Sequence, residues 1–274
     1  MSALGEDFTG GWFRRLYWPA SAPGLWYGLL AALGLIILHQ GLQIFLSAIA
    51  VVALFGGSFE NTRDLVKASL VVLFPASLIV AWAAWWLAGR KGGKPGEILA
   101  LRVPKFTGLG WIALLGGFMV TMYLAIILIV TLSGIDLSQY TPGPDGQSPD
   151  SGSAGLVKEA MYDIANEPWL FLLVFPSIAI GAPLAEEFIF RGQLFSALSS
   201  TRLGVSGTTF VTSALWALMH MSEPWLSVGL IFVMGLVFGW MMYRFGSLWV
   251  TIACHGMWNG TYALIIFATL GTQP

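Results

Sequence analysis

Residues 169–198 read WLFLLVFPSIAIGAPLAEEFIFRGQLFSAL, and this stretch decides the fold. Thirty residues of helix span about 45 Å, more than the roughly 30 Å hydrocarbon core of a bilayer. From Trp169 to Leu184 there is no charge; then Glu186, Glu187 and Arg191 fall within six residues. A charge at membrane depth costs roughly 2.5–3.5 kcal/mol even on lenient insertion scales. A chain keeps such groups where they face a protein-lined cavity and serve chemistry, transport or pairing. Function is therefore sought at this cluster, inside an all-α, polytopic transmembrane bundle.

Composition agrees. Of 274 residues, 57% are hydrophobic and only 10% charged, against about 25% charged in soluble chains. Thirteen Trp residues fit aromatic anchoring at both interfaces. A net charge of −1 leaves no basic stripe for phosphates, so nucleic acid is excluded as a partner. The single Cys254 cannot form an internal disulfide. Met1–Tyr17 is polar and lacks the short apolar core of a signal peptide, so the first hydrophobic stretch is read as a retained anchor.

Apolar runs give seven expected spans: Trp26–Phe55, Val66–Leu87, Gly108–Leu132, Trp169–Leu198, Gly207–His220, Trp225–Tyr243 and Leu248–Leu270. An eighth follows if the first run splits. His39, Gln40 and Gln43, in the middle of that run, suggest a face turned toward protein. The fifth span is short, a partial crossing or a helix packed inside the bundle. Four regions result: a cytoplasmic segment 1–25, N-terminal helices 26–135, an extracytoplasmic loop 136–168 and a transmembrane core 169–274. Within the loop, Tyr140–Gly155 reads as flexible by composition, and Leu156–Asn166 as a short amphipathic helix. Alternating the spans from a cytoplasmic N-terminus puts nine cationic residues inside, Arg14, Arg90 and Arg244 among them, and only Arg63, Lys67 and Lys158 outside. That asymmetry is the one the positive-inside rule expects, and it orients the chain N-in and C-out.

Helix geometry separates the two acids. Glu187 and Arg191 are four apart, so they share a face and can pair. Glu186 projects about 100° away, free to point into a cavity. A purely structural ion-pair network is the plainer alternative. The other strongly polar groups of the spans are His220, His255 and Asn259, the last two four apart on one face. Counting about 1.5 Å per residue from the cytoplasmic ends puts Asn259 about 16 Å deep, Glu186 about 21 Å and His220 about 24 Å. They are expected to converge near the midplane. A carboxylate and an imidazole can activate water as general base; a second His and an Asn amide can donate to a developing oxyanion.

These residues carry a resemblance. Glu186-Glu187-Phe188-Ile189-Phe190-Arg191 matches the EExxxR motif of the CAAX protease and bacteriocin-processing (CPBP, or Abi) family, related to the type II CAAX prenyl protease. Trp216-Ala-Leu-Met-His220 resembles its FxxxH motif, with Trp in the place of Phe, and His255-Gly-Met-Trp-Asn259 matches HxxxN. The resemblance covers about the C-terminal half. It implies an intramembrane glutamic endopeptidase of a multi-pass bacterial inner-membrane kind, acting on a membrane-associated protein or peptide without cofactor or metal. Glu186 with His220 would activate water, His255 and Asn259 would form the oxyanion hole, and Glu187, Arg191 and Trp216 would support them. The rivals are a zinc protease through Glu187, His220 and His255, which lacks any HExxH pairing, and a thiol protease through Cys254, whose neighbour His255 diverges from it by about 100°. From another class come a proton-coupled carrier, for which Pro176 and Pro183 would break the fourth helix, and a non-catalytic immunity or regulatory factor.

Overall fold

A computed structural model describes residues 2–20, 24–57, 59–134 and 153–270. Apolar runs become helices because only intrachain hydrogen bonds can satisfy the backbone in hydrocarbon. The long helices are α1 (Leu25–Leu54), α2 (Thr62–Ala88) and α3 (Gly108–Ser133). There follow α4 (Ser153–Asn166) and a continuous helical run α5 (Pro168–Ser199), then α6 (Gly204–Leu218), α7 (Trp225–Phe245) and α8 (Leu248–Leu270). Among the described residues there is no strand; one bridge pairs Gly5 with Phe106. Asn61 caps α2 by accepting from the Arg63 N–H, and Thr107 caps α3 by accepting from Gly110.

Each of the seven expected spans is a helix, but only α1, α2, α3, α5 and α7 are both long and apolar enough to cross a membrane. That makes the chain an integral membrane protein; the other two expected spans, α6 and α8, are helices that do not meet this measure of length and apolar character. The fifth, α6, has 15 residues, about 22 Å, and stops short. The seventh, α8, has the length at 23 residues, but it is not among the spans that pass on hydropathy; Thr251, His255 and Asn259 interrupt its apolar sequence. Helix α1 is unbroken, so the first run does not split into two spans. Most of the Tyr140–Gly155 loop lies outside the described residues. Past it, α4 packs Met161 and Ile164 against Leu170 and Val174 of α5. Lys67 of α2 reaches Asp163 of α4 at 3.4 Å.

One end of the bundle is closed by the N-terminal segment and residues 89–107. Tyr17 Oη meets Ser199 Oγ at 3.0 Å, and the Leu16 and Tyr17 amides donate to the Tyr243 carbonyl. Arg102 donates to the Phe245 carbonyl at 2.9 Å and to buried Asp7 at 2.6 Å. The α6–α7 seam is set by small residues: a Cβ on Gly239 would meet Thr209 Cγ2 at 2.2 Å, and one on Gly235 would meet Ser213 Cβ at 2.7 Å. Such close backbone approach is how helices gain contact in lipid, where no hydrophobic effect drives them together.

The prolines do not break α5. Instead the helix widens to i→i+5 bonding at Ser177–Gly181 and again at Phe188–Leu194, in the manner of π-bulges, which often sit at functional sites. The Ala182 amide bonds the Ser177 carbonyl; the next donor in that register would be Pro183, which has none. The Ile178 carbonyl so released is met by the Asn259 amide of α8 at 3.4 Å.

Candidate active site

The widened part of α5 presents the two glutamates to different surroundings. Glu186 lines a cavity of about 390 Å³ shared with His220 and Trp216, with Ile189 and Phe190 of α5, and with parts of α1 and α2. Glu187 is fully buried on the other side. Its Oε1 accepts from Arg191 Nη1 at 3.1 Å and from His255 Nδ1 at 3.1 Å. Arg191 is 1% exposed, and its Nε and Nη2 have no hydrogen-bond partner. Aromatic faces stand in: Trp216 lies 4.2 Å and Phe238 5.2 Å from the guanidinium carbon, an attraction that grows when the cation is desolvated.

Trp216 joins the two halves. Its Nε1–H donates to Glu186 Oε2 at 2.5 Å, while its ring packs edge-on against His220 and His255 with centroids 5.7 and 5.3 Å away. A phenylalanine here, as in the FxxxH motif that this stretch resembles, would keep the ring and lose the donor. His220 lies just beyond the end of α6, in a turn. Its Nδ1 sits 2.8 Å from the Trp216 carbonyl. A carbonyl only accepts, so Nδ1 carries the proton and Nε2 is left as the basic nitrogen. The same reasoning applies to His255, whose Nδ1 proton goes to the Glu187 carboxylate.

Of the four residues expected to converge, Glu186 and His220 share the cavity, whereas His255 and Asn259 are not among its lining residues. His255 is 2% exposed, between Trp216 and Phe238. Among the described residues, no three His, Cys, Asp or Glu side chains are gathered closely enough to hold a metal ion, so Glu187, His220 and His255 do not form the zinc set considered above. Cys254 is buried in the core. The sequence reading gave the site neither the Trp216–Glu186 bond nor His39, Gln40 and Gln43, which line the same cavity. The indole N–H of a Trp in a Phe position was the available signal for the first. For the second it was three adjacent polar residues in a 30-residue apolar helix.

No curated protein and no solved structure matches the chain. A family model does match part of it, and the matched part holds the three motifs and every group just described except those of α1 and α2. Residues 168–261 are similar to the family described as type II CAAX prenyl endopeptidase Rce1-like, a family of proteases.

Proposed function

We propose that this protein is an intramembrane endopeptidase that cleaves a peptide bond near the end of a membrane-associated protein or peptide, with Glu186 as general base. The observation that carries the reading is the pair of fixed groups on one cavity: Glu186 held by the Trp216 indole, and His220 held through Nδ1 with Nε2 free. A water between them loses its proton to the Glu186 carboxylate, with His220 Nε2 accepting a hydrogen bond from it. Hydroxide attacks the scissile carbonyl, and the proton is returned to the leaving amine.

The oxyanion falls to the HxxxN pair. Glu187 orients His255 through the Nδ1 proton, as a buried carboxylate does behind a catalytic histidine; a proton taken up at Nε2 during the reaction would turn that ring into a donor to the oxyanion. The Asn259 contact with Ile178 is long, at 3.4 Å, and exchanging it for the oxyanion costs little. Apo-state catalytic hydrogen bonds commonly tighten only with substrate bound. The excess of cations at the end closed by the N-terminal segment supports a cytoplasmic N-terminus in a bacterial inner membrane.

The test is cleavage of a prenylated CAAX-type peptide and of unprenylated hydrophobic peptides by the purified wild type and Glu186→Ala. Cleavage by the wild type alone is the expected result. A Glu186→Ala protein as active as the wild type would remove Glu186 from the mechanism. Proton-coupled uptake with no cleavage would make this a carrier.

A further inference from the structure

Helices α1 and α5 run antiparallel, and their register is pinned at one point. A Cβ on Gly28 would meet Ala197 Cβ at 2.3 Å, so the two backbones touch there. Eleven residues along α1 from Gly28 is His39; eleven residues back along α5 from Ala197 is Glu186. Both steps cover about 16 Å, which brings His39 level with Glu186, and the two are close enough to interact through charge. Ile36, His39, Gln40 and Gln43 fall at i, i+3, i+4 and i+7, one face of α1, and all four line the cavity. His39 Nε2 is buried there without a hydrogen-bond partner. This face lies outside residues 168–261, so the family similarity assigns it nothing.

A bilayer core is a poor place for an extended peptide. To be cut, a substrate must leave helical structure, because a carbonyl bonded within a helix is shielded from attack. Each backbone N–H and C=O so freed needs a partner that lipid does not supply. Opposite the α1 face the cavity is lined mainly by Leu70, Leu73, Ile189, Phe190 and Met219, which offer none; Ser69 already gives its hydroxyl proton to the Val66 carbonyl, and Glu186, Trp216 and His220 are the groups assigned to the reaction above. A glutamine amide is both donor and acceptor and carries no charge, the complement of a peptide unit. A cation or a phosphate would call for charged ligands instead. Accepting the hydrolytic reading above, we infer that His39, Gln40 and Gln43 are a binding wall for the main chain of an unwound peptide, held alongside Glu186 by backbone-to-amide hydrogen bonds.

The test separates binding from cleavage. A labelled prenylated CAAX-type peptide is titrated onto Glu186→Gln protein in lipid nanodiscs, with and without Gln40→Leu and Gln43→Leu together. Leucine keeps roughly the volume and makes α1 more apolar, and an unchanged melting temperature checks the fold. The double change should weaken peptide binding about tenfold. Replacing one backbone amide beside the cleaved bond by an ester should weaken binding several-fold in the Gln-containing protein and hardly at all in the Leu variant. Equal Kd values with and without the glutamines, an ester penalty that persists without them, or no binding by the Glu186→Gln protein would each overturn the wall. Wild type that binds with the full ester penalty but never cleaves would leave the wall standing and remove the hydrolysis. Cleavage unaffected by the glutamine changes would do the reverse.

Discussion

Trp216 Nε1 donates to Glu186 Oε2 across 30 residues of sequence, at 2.5 Å, from a ring that also packs on the guanidinium of Arg191. One side chain thereby fixes the carboxylate on the cavity and shields the cation behind it. The charged cluster of α5 is thus held from α6 and α8 as well as by its own helix.

Trp216→Phe keeps the aromatic contacts and deletes the donor. Lost substrate-independent positioning of a base lowers kcat rather than KM. The expected effect is about a tenfold fall in kcat with KM within a factor of two, plus a stability loss of about 1–2 kcal/mol from the missing charge-assisted bond. A variant with unaltered kcat would show that Glu186 needs no anchor.

Removing one partner of the buried Glu187–Arg191 pair strands the other charge, a loss that reaches about 3–5 kcal/mol. Glu187→Gln and Arg191→Ala should both give low folded yield by gel filtration, with Glu187→Gln also releasing His255. Glu186→Gln should elute and melt like the wild type and be inactive. Three equal folding defects would mean the two acids do not divide their roles.

At the closed end of the bundle, burial pushes the Asp7 carboxyl up, but hydrogen bonds from Arg102 and the Lys105 amide, with the Arg102 charge, outweigh it and hold the group below its ordinary 3.8. A depressed folded-state pKa stabilises above the unfolded value and loses that contribution as pH falls through the folded one. Asp7→Asn should therefore melt earlier than wild type at pH 7, by about 1–2 kcal/mol of stability. The gap between the two melting curves should close progressively as the pH falls below 3.8. A gap that stays constant from pH 7 to pH 3 would assign the effect to packing.

Orientation is checked by reporter fusions. With nine cations expected on the inside against three, fusions after Arg90 and after Arg244 should read cytoplasmic, and one within 140–155 should read outside. A cytoplasmic signal from the last would invert the molecule.

The helices were legible in the sequence because hydrocarbon leaves the backbone few options, and the four-residue spacing of Glu187 and Arg191 carried over directly into a 3.1 Å contact. Helices α6 and α8 read as spans too, although α6 is short and Thr251, His255 and Asn259 interrupt the apolar sequence of α8. The bulged register of α5 was hidden as well: Pro176 and Pro183 signal a missing donor, while the choice between breaking and widening depends on what meets the freed carbonyl, here Asn259 from α8. The α5–α8 link through Glu187 and His255 is a tertiary fact, written in no local pattern, whereas the polar face of α1 could be read from His39, Gln40 and Gln43.

A lipid annulus must adapt to its shortest wall. Helix α6, with 15 residues, falls roughly 8 Å short of a 30 Å core. Lipid beside it lowers its surface to meet the helix end, at a cost of a fraction of a kcal/mol per Å of mismatch. His220 stands at that end, so the dip brings bulk solvent to the rim of the cavity. On the hydrolytic reading proposed above, water would then reach Glu186 from the α6 end of the cavity, by way of the bilayer's own shape.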